Sequence, residues 1–258
     1  MCLLLISWKT DPRYPLILAG NRDEFYNRPT RPLHKWESKP VIAAGRDLKS
    51  RGTWLAVSEN RRFAAVTNFR NPATLRENVR SRGELVTKFL LSSLSTEKIL
   101  EKIRGTAGLY NGFNLILGDG ETLWYLNEMD IAPKEIPPGI HVISNARLNT
   151  PWPKAVHAKS EFSTLIAEEN FHPDPLFKLL LNDQTYPTSE LPSTGVTPEM
   201  EKQLSSLFIR MPGYGTRSSA VISLDQNGVF SFSERTYQKG DTASFLLKET
   251  LLPTLNDR

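Results

Sequence analysis

The strand-like segments of this sequence come in hairpins, and this order restricts the fold more than any other feature. Parallel strands need long crossover connections, whereas antiparallel strands are joined by short turns. Turn-forming residues separate successive apolar runs at Asp11-Pro12-Arg13, residues 59–62, Gly118-Asp119-Gly120 and Asn227-Gly228. Because no regular strand–helix–strand alternation is present, the sequence predicts antiparallel sheets with segregated helices, an α+β fold.

Apolar periodicity predicts the elements in the order strands, two helices, strands, three helices and strands. The predicted strands lie at about residues 3–6, 16–20, 41–45, 53–58, 63–68, 113–117, 122–126, 141–144, 219–224, 229–234 and 244–247. The predicted helices lie at about residues 85–90, 96–104, 153–169, 174–181 and from 197 onward. No repeat or break in composition interrupts the 258 residues, so we expect one domain, residues 1–258.

Two local signals accompany these elements. Ser81 and Glu84 match a capping box at the start of the first helix. Residues 25–40 are rich in Pro and Arg and predict an irregular loop.

Polar residues follow the second predicted strand, which is expected to deliver Asn21-Arg22-Asp23-Glu24 at its far end. Consecutive polar groups beside a buried strand are costly unless they are paired or solvated. A salt-bridged loop is one explanation, and an active site is the other. Arg22 can lower the pKa of a nearby thiol, and a carboxylate can hold a terminal ammonium group in place.

Cys2 is the single cysteine of the chain and follows Met1 directly. An aminopeptidase that removes Met1 would leave a thiol and a free α-amine on one residue. Their ordinary pKa values are about 8.5 and about 8, so the amine can accept a proton from the thiol near neutral pH. Cysteine also serves as a small buried hydrophobe, which is the more common role for its position alone.

Charge and composition exclude several functions. The net charge is +4 and the basic residues are dispersed among 28 acids, so we expect no nucleic-acid partner. The densest basic group is Arg70, Arg76, Arg80 and Arg82, which predicts either a solvated loop or a site for an anionic substrate group. No apolar run approaches the roughly 20 residues that a transmembrane helix needs. A single cysteine excludes an internal disulfide and favours a reducing, cytoplasmic location.

Motifs for metal and cofactor chemistry are missing from the sequence. His34, His141, His157 and His172 are far apart, and there is no H-E-x-x-H or C-x-x-C pattern. No nucleophile elbow occurs, and Gly213-Tyr214-Gly215 lacks the third glycine of a dinucleotide fingerprint. We therefore expect neither a metal nor a cofactor.

Several motifs together resemble a known family. They are Met1-Cys2, Gly20-Asn21-Arg22-Asp23-Glu24-Phe25, Arg51-Gly52-Thr53-Trp54-Leu55, Val66-Thr67-Asn68-Phe69-Arg70, Ser144-Asn145, Thr150-Pro151-Trp152-Pro153-Lys154 and Tyr214-Gly215-Thr216-Arg217-Ser218-Ser219. This set resembles the NRDE family, also called the transport and Golgi organization protein 2 family, from residue 1 to about 235. Asn149 stands where the family has an acid, and Arg61 where it has a glycine.

That family in turn resembles the cysteine-type N-terminal-nucleophile (Ntn) hydrolases, which include penicillin V acylase and bile salt hydrolase. The resemblance implies a four-layer αββα sandwich with two antiparallel sheets between helical layers. It also implies that Cys2 is the nucleophile, that its α-amine is the base, and that Arg22 with either Asp23 or Glu24 supports them. The choice between the two acids stays open, because both follow Arg22 immediately.

The resemblance assigns the remaining site residues as well. Asn68, and with it Asn145, would donate hydrogen bonds to the oxyanion of the intermediate. Arg217 matches a family motif but receives no definite role.

The implied reaction is hydrolysis of a non-peptide amide C–N bond through a thioester on Cys2, with a small-molecule amide or a lipid-like molecule as the ligand. The alternative is a non-catalytic protein that binds or carries haem or lipid on the same fold, since fold alone does not fix function.

Overall fold

The strands of the chain form two antiparallel sheets that pack face to face. The computed structural model describes residues 2–130, 132–168, 171–238 and 241–254, with the backbone alone for Cys2, Ala243 and Ser244. Within these residues the elements follow the predicted order of strands, two helices, strands, three helices and strands. The α+β prediction is therefore confirmed.

The first sheet holds the first and the last strands of the described residues. In spatial order its strands are β10 (Gly139–Ile143), β1 (Cys2–Asp11), β2 (Tyr14–Phe25), β12 (Tyr214–Leu224), β13 (Val229–Gln238) and β14 (Asp241–Pro253), with the short β11 (Arg210–Met211) beside β12. β2 is central, because it pairs with β1 on one side and with β12 on the other.

The second sheet is a continuous meander. Its strands are β3 (Thr30–Lys35), β4 (Ile42–Asp47), β5 (Leu55–Ser58), β6 (Phe63–Asn68), β7 (Phe113–Gly118), β8 (Leu123–Asn127) and β9 (Lys134–Glu135). Each strand pairs with its neighbours in sequence, and the turn residues predict two of these pairings, β5–β6 and β7–β8.

Helices cover the outer faces of both sheets. They are α1 (Gly83–Leu90), α2 (Thr96–Thr106), α3 (Pro153–Ile166), α4 (Pro173–Leu180) and α5 (Pro198–Gln203). Apolar residues of α1 and α2 share a core with the second sheet, and apolar residues of α3 and α4 share another with the first. A third core lies between the sheets, so the layers are αββα, as the family resemblance implies.

Alternation along the strands builds these layers. In β2, Leu16 and Leu18 enter the core between the sheets, while Ile17 and Ala19 face α3 and α4. A strand buried on both faces gains hydrophobic burial from every residue, which explains the continuous apolar run at 16–19.

The structure differs from the sequence predictions around residues 21–35. β2 continues through Asn21-Arg22-Asp23-Glu24 to Phe25, so these residues lie within the strand instead of beyond its end. The cause is β12, which pairs with β2 as far as Phe25. The predicted loop at 25–40 is also wrong in part, because Thr30–Lys35 pairs with β4.

The two departures from the family motifs fall at left-handed backbone positions. Arg61 has φ = 60° in the β5–β6 turn, where glycine adopts the conformation without strain. Asn149 has φ = 58°, which asparagine tolerates, and its side-chain carbonyl accepts a hydrogen bond from the N–H of Val142.

Candidate active site

A cavity of about 490 Å³ lies between the two sheets, at the end of the first sheet where β1 begins and β2 ends. The first sheet supplies residues of β2, β12 and β13 to its wall. The second sheet supplies residues of β3, β4 and β6, and the segment before α1 completes the wall. A cleft of this size fits a small organic molecule.

Arg22 projects from β2 into this wall and is only 8% exposed. Its Nη2 lies 3.6 Å from Oδ2 of Asp47 and 3.9 Å from Oε2 of Glu24. Its Nη1 donates a hydrogen bond of 3.4 Å to the hydroxyl of Thr30. These contacts fix a charged group at the cavity surface.

The start of the chain lies beside Arg22. The Cα of Cys2 pairs directly with the Cα of Arg22 in the β1–β2 ladder. Met1 and the side chain of Cys2 lie outside the described residues. The nucleophile assignment therefore stays a prediction, while the backbone position of Cys2 is adjacent to a guanidinium of the cavity wall.

The two acids that follow Arg22 have different surroundings, because successive residues of a strand point to opposite faces. Oδ1 of Asp23 accepts a 2.7 Å hydrogen bond from the hydroxyl of Thr216, and burial raises the pKa of Asp23. Glu24 has one carboxylate oxygen near Arg22, and the other accepts from the N–H of Phe25 at 2.8 Å. Glu24 is therefore the acid that shares the Arg22 face.

Asp47, which sequence reasoning missed, is a further carboxylate in the wall. Its Oδ2 accepts from Nε of Arg28 at 2.8 Å, and its Oδ1 accepts from the N–H of Ser50 at 2.8 Å. Burial alone would raise the pKa of Asp47, but the hydrogen bonds and the nearby Arg22 lower it overall. The sequence did contain a signal for Asp47, because this residue follows the apolar run at 41–45 much as Asp23 follows the run at 16–20.

Glu234 is a second acid that sequence reasoning missed. It is 4% exposed and lies in the cavity wall on β13. Its Oε1 accepts a 2.8 Å hydrogen bond from the N–H of Leu33, and burial raises the pKa of its carboxyl group. Strand alternation could have found it, because Phe230 and Phe232 on the same face belong to the core between the sheets.

Asn68 and Asn145 occupy different places. Asn68 lies in the cavity wall, and within the described part of the chain its side-chain amide has no hydrogen-bond partner. Asn145 is buried outside the wall formed by the described residues, and its side-chain N–H donates to the main-chain carbonyl of Asn68 at 3.0 Å. Asn145 thus holds the backbone of Asn68 in place from a position outside the cavity wall.

The basic group found in the sequence is divided by the fold. Arg80 and Arg82 lie in the cavity wall, and Arg80 pairs with Glu84 at 2.6 Å. Arg70 forms a buried ion pair with Glu201, with Nη1 2.8 Å from Oε2. The solvated-loop alternative is therefore wrong for Arg70.

Arg76, the remaining member of this basic group, lies away from the cavity wall that the described residues form. It donates to main-chain carbonyls, including that of Gly108 at 2.8 Å.

Arg217 is placed by an irregularity in the β2–β12 ladder. Thr216 pairs with Asp23 and Ser218 with Arg22, so Arg217 is the extra residue of a β-bulge. The bulge brings the neighbours Arg217 and Ser218 into the same cavity wall. Arg217, whose role the family resemblance left open, therefore joins Arg22 at the cavity.

Metal ligands are not clustered in the described part of the chain. No group of three or more His, Cys, Asp or Glu side chains that could hold a metal ion occurs among those residues. Among the same residues, no helix has the length and apolar composition that crossing a membrane requires.

Solved structures define the class of fold. A mutant conjugated bile acid hydrolase from Clostridium perfringens superposes with a TM-score of 0.51 at 9% identity, covering 97% of this chain and 92% of that one. An N-acylethanolamine-hydrolyzing acid amidase ortholog from Caenorhabditis elegans gives a TM-score of 0.51 at 10% identity, covering 86% and 92%. The chain has the fold of the N-terminal-nucleophile hydrolases.

Sequence relatives define the family within this class. A profile of the family Transport and Golgi organisation 2 matches residues 1–239. The Transport and Golgi organization protein 2 homologs of Bos taurus and Homo sapiens are each 36% identical over 264 residues, which cover 93% of this chain and 95% of each relative. The Drosophila melanogaster protein of that name is 26% identical over 267 residues, covering 92% of each chain. The chain belongs to the Transport and Golgi organisation 2 family. The names of these relatives state no chemical reaction.

Proposed function

We propose that this protein is a cysteine-type amidohydrolase that cleaves a non-peptide amide C–N bond of a small-molecule or lipid-like substrate. One observation carries the proposal: the backbone of Cys2 pairs with Arg22, whose guanidinium lies in the wall of a 490 Å³ cavity. A cationic group near a thiol favours the thiolate, which is the reactive form.

The proposed reaction begins with removal of Met1, which leaves Cys2 with a free α-amine. The amine accepts the thiol proton, and the sulfur attacks the carbonyl carbon of the amide. The C–N bond breaks, the leaving nitrogen takes the proton, and an acyl thioester remains on Cys2. Water then adds to the thioester, which releases a carboxylic acid and restores the thiol.

The other site residues have distinct proposed roles. Arg22 stabilises the thiolate, and either Asp23 or Glu24 holds the α-ammonium group. The free side-chain amide of Asn68 donates to the oxyanion, because it lies in the cavity wall and has no competing partner among the described residues. Asn145 positions Asn68 through its hydrogen bond to the Asn68 carbonyl.

The wider setting supports the same proposal. The family profile covers residues 1–239, which supports treating the chain as one domain. The two solved structures of the same fold are, by name, a conjugated bile acid hydrolase and an N-acylethanolamine-hydrolyzing acid amidase, which supports a hydrolase on this fold. A single cysteine suits a reducing compartment, which supports a cytoplasmic location.

The test combines mass analysis with a turnover screen. Intact mass of the purified protein should show loss of Met1, and a library of fatty and amino-acid amides should contain a substrate that is hydrolysed. Cys2→Ser and Cys2→Ala should abolish turnover, while Arg13→Gln, at the opposite end of the β1–β2 hairpin, should leave it unchanged. Retained Met1, or turnover that survives Cys2→Ala, would overturn the proposal.

A binding role without catalysis gives a different result in the same screen. An electrophilic probe such as a β-lactone would label Cys2, yet no amide in the library would be hydrolysed. That outcome would favour a carrier of haem or lipid on this fold.

A further inference from the structure

The cavity wall carries more positive than negative charge. Among the described residues it contains six arginines and four acids. The acids do not neutralise the arginines one for one, since Asp47 is shared between Arg28 and Arg22. Burial also raises the pKa values of Asp23 and Glu234, which favours their neutral forms. A cavity with this charge attracts an anionic ligand.

Arg217 is held in this wall by neutral groups. Its Nη1 donates to the main-chain carbonyls of Phe25 at 2.9 Å and Arg28 at 3.0 Å. No carboxylate of a described residue lies within 4.0 Å of its guanidinium, and no described residue accepts a hydrogen bond from its Nε or Nη2. The two carbonyls therefore fix the orientation of the guanidinium without cancelling its charge.

The remaining donors of Arg217 match a carboxylate in shape. Nε and Nη2 form one edge of the planar guanidinium, and such an edge can donate two parallel hydrogen bonds to a carboxylate. Burial, together with the charge of Arg22, lowers the pKa of Arg217, although the charge of Glu24 and the hydroxyl of Tyr26 act in the opposite direction. An anion bound at this edge would relieve the repulsion between the two guanidiniums.

We propose that Arg217 is the carboxylate-recognition residue of the cavity, and that the preferred substrates are amides that carry a carboxylate, such as N-acyl amino acids. This inference rests on the proposed amidohydrolase function for the word substrate, but the recognition itself is a binding property that can be measured without turnover.

The test uses the Cys2→Ala protein, so that no ligand is consumed. Isothermal titration calorimetry compares N-decanoylglycine with N-decanoylglycinamide, which has the same acyl chain and differs by a carboxamide in place of the carboxylate. We expect the acid to bind about tenfold more tightly. Adding Arg217→Gln should remove this preference while leaving the affinity for the carboxamide within about twofold.

Two control variants separate Arg217 from general charge effects. Arg13→Gln lies on the exposed β1–β2 turn, where Arg13 pairs with Asp11, and should keep the full preference. Arg80→Gln removes a cavity-wall charge that is paired with Glu84, a carboxylate shared with Lys88, so it should reduce the preference less than Arg217→Gln does. Equal losses in Arg80→Gln and Arg217→Gln would overturn the assignment to Arg217.

Loss of folding in Arg217→Gln would not end the test. Arg217→Lys keeps the charge without the two-pronged edge and should retain only part of the preference. In addition, the acid-over-amide preference of the Cys2→Ala protein should shrink as NaCl rises from about 0.05 to about 0.5 M. A preference that is absent at low salt, or that survives in the folded Arg217→Gln protein, would overturn the inference.

The results distinguish this inference from the proposed function. A carboxylate preference in the Cys2→Ala protein, with no amide hydrolysed by the wild type, would overturn the hydrolase and support Arg217 as a ligand-recognition residue. Hydrolysis of neutral and acidic amides at equal rates would overturn the role of Arg217 and leave the hydrolase in place.

Discussion

Oδ2 of Asp47 lies 2.8 Å from Nε of Arg28 and 3.6 Å from Nη2 of Arg22, so a single carboxylate holds two guanidiniums of the cavity wall. One of them belongs to β2 of the first sheet, whereas Asp47 ends β4 of the second. The contact therefore joins the two sheets at the mouth of the cavity. It also fixes Arg22 beside the backbone of Cys2.

Asp47→Asn should lower the free energy of unfolding by about 1 to 3 kcal/mol at neutral pH, because it removes the charge from this shared contact. The folded state lowers the pKa of Asp47, so its contribution is present above the ordinary aspartate pKa of about 4 and is lost as the pH falls below it. Urea unfolding of both proteins at neutral pH and near pH 3 measures the difference. A gap that persists in acid would contradict the assignment, and exposed Asp183→Asn is the control.

Glu234→Gln should be at least as stable as the wild type at neutral pH. Burial raises the pKa of Glu234, so its protonated form favours the folded state; that contribution is present below the ordinary glutamate pKa and is lost as the pH rises through the raised value. Glutamine mimics the protonated form and keeps an acceptor for the N–H of Leu33. Glu234→Ala removes that acceptor and should cost about 1 to 3 kcal/mol. Thermal unfolding of both variants between about pH 4 and pH 8 tests this, and equal losses in both would refute it.

The buried pair of Arg70 and Glu201 should show strong coupling. Removing either partner breaks a buried ion pair, so Arg70→Met or Glu201→Met should each cost about 3 to 5 kcal/mol. The double variant should cost much less than the sum of the two. Urea denaturation of the wild type, the two single variants and the double variant completes a double-mutant cycle. Additive losses of unfolding free energy would show that the pair is not coupled.

The variants Asn68→Ala and Asn145→Ala should distinguish a catalytic role of Asn68 from a structural role of Asn145. Asn68→Ala should lower kcat by about 10² to 10³ with little change in stability, since its side chain is free among the described residues. Asn145→Ala removes the bond to the Asn68 carbonyl and should lower the unfolding free energy by about 1 to 3 kcal/mol. The rate of Cys2 acylation and the melting temperature of each variant are the measurements. An Asn68→Ala protein that acylates at the wild-type rate would exclude an oxyanion role.

The features that were predicted best from the sequence are those that residues adjacent in the chain determine. The hairpins form because their turns lie between the strands that they join, as at Asp11-Pro12-Arg13 and Asn227-Gly228. It predicted β3 wrongly, because that strand is decided by its pairing with β4. The ladder shifts register between Arg31 and His34, and Pro32, which has no N–H, falls in this irregularity.

The capping box predicted at Ser81 and Glu84 does not form, because the Glu84 side chain makes other contacts in the folded protein. No side-chain hydrogen bond caps α1, because the Glu84 carboxylate instead pairs with Arg80 and accepts from the hydroxyl of Tyr110. Arg80 is close to Glu84 in sequence, but Tyr110 is distant, so the local pattern could not reveal the hydrogen bond from Tyr110.

The site residues divide in the same way, into those that local motifs identify and those that only the tertiary fold brings together. Motifs led to Arg22, Asn68 and Arg217, all of which the fold brings to one cavity. Asp47 and Glu234 lie on strands of opposite sheets, and their place in the same wall depends on how the sheets stack.

The single additional residue at Arg217 also separates specificity from stability. Residues before and after it keep their ladder partners on β2, so the strand pair persists whatever side chain stands at that point. On the role proposed for Arg217, substitutions there would change the recognised chemical group without repacking the core. Deleting the residue would instead put β12 into regular pairing and turn the preceding side chains to the other face. The bulge therefore allows the side chain at this position to change while the sheet keeps its architecture.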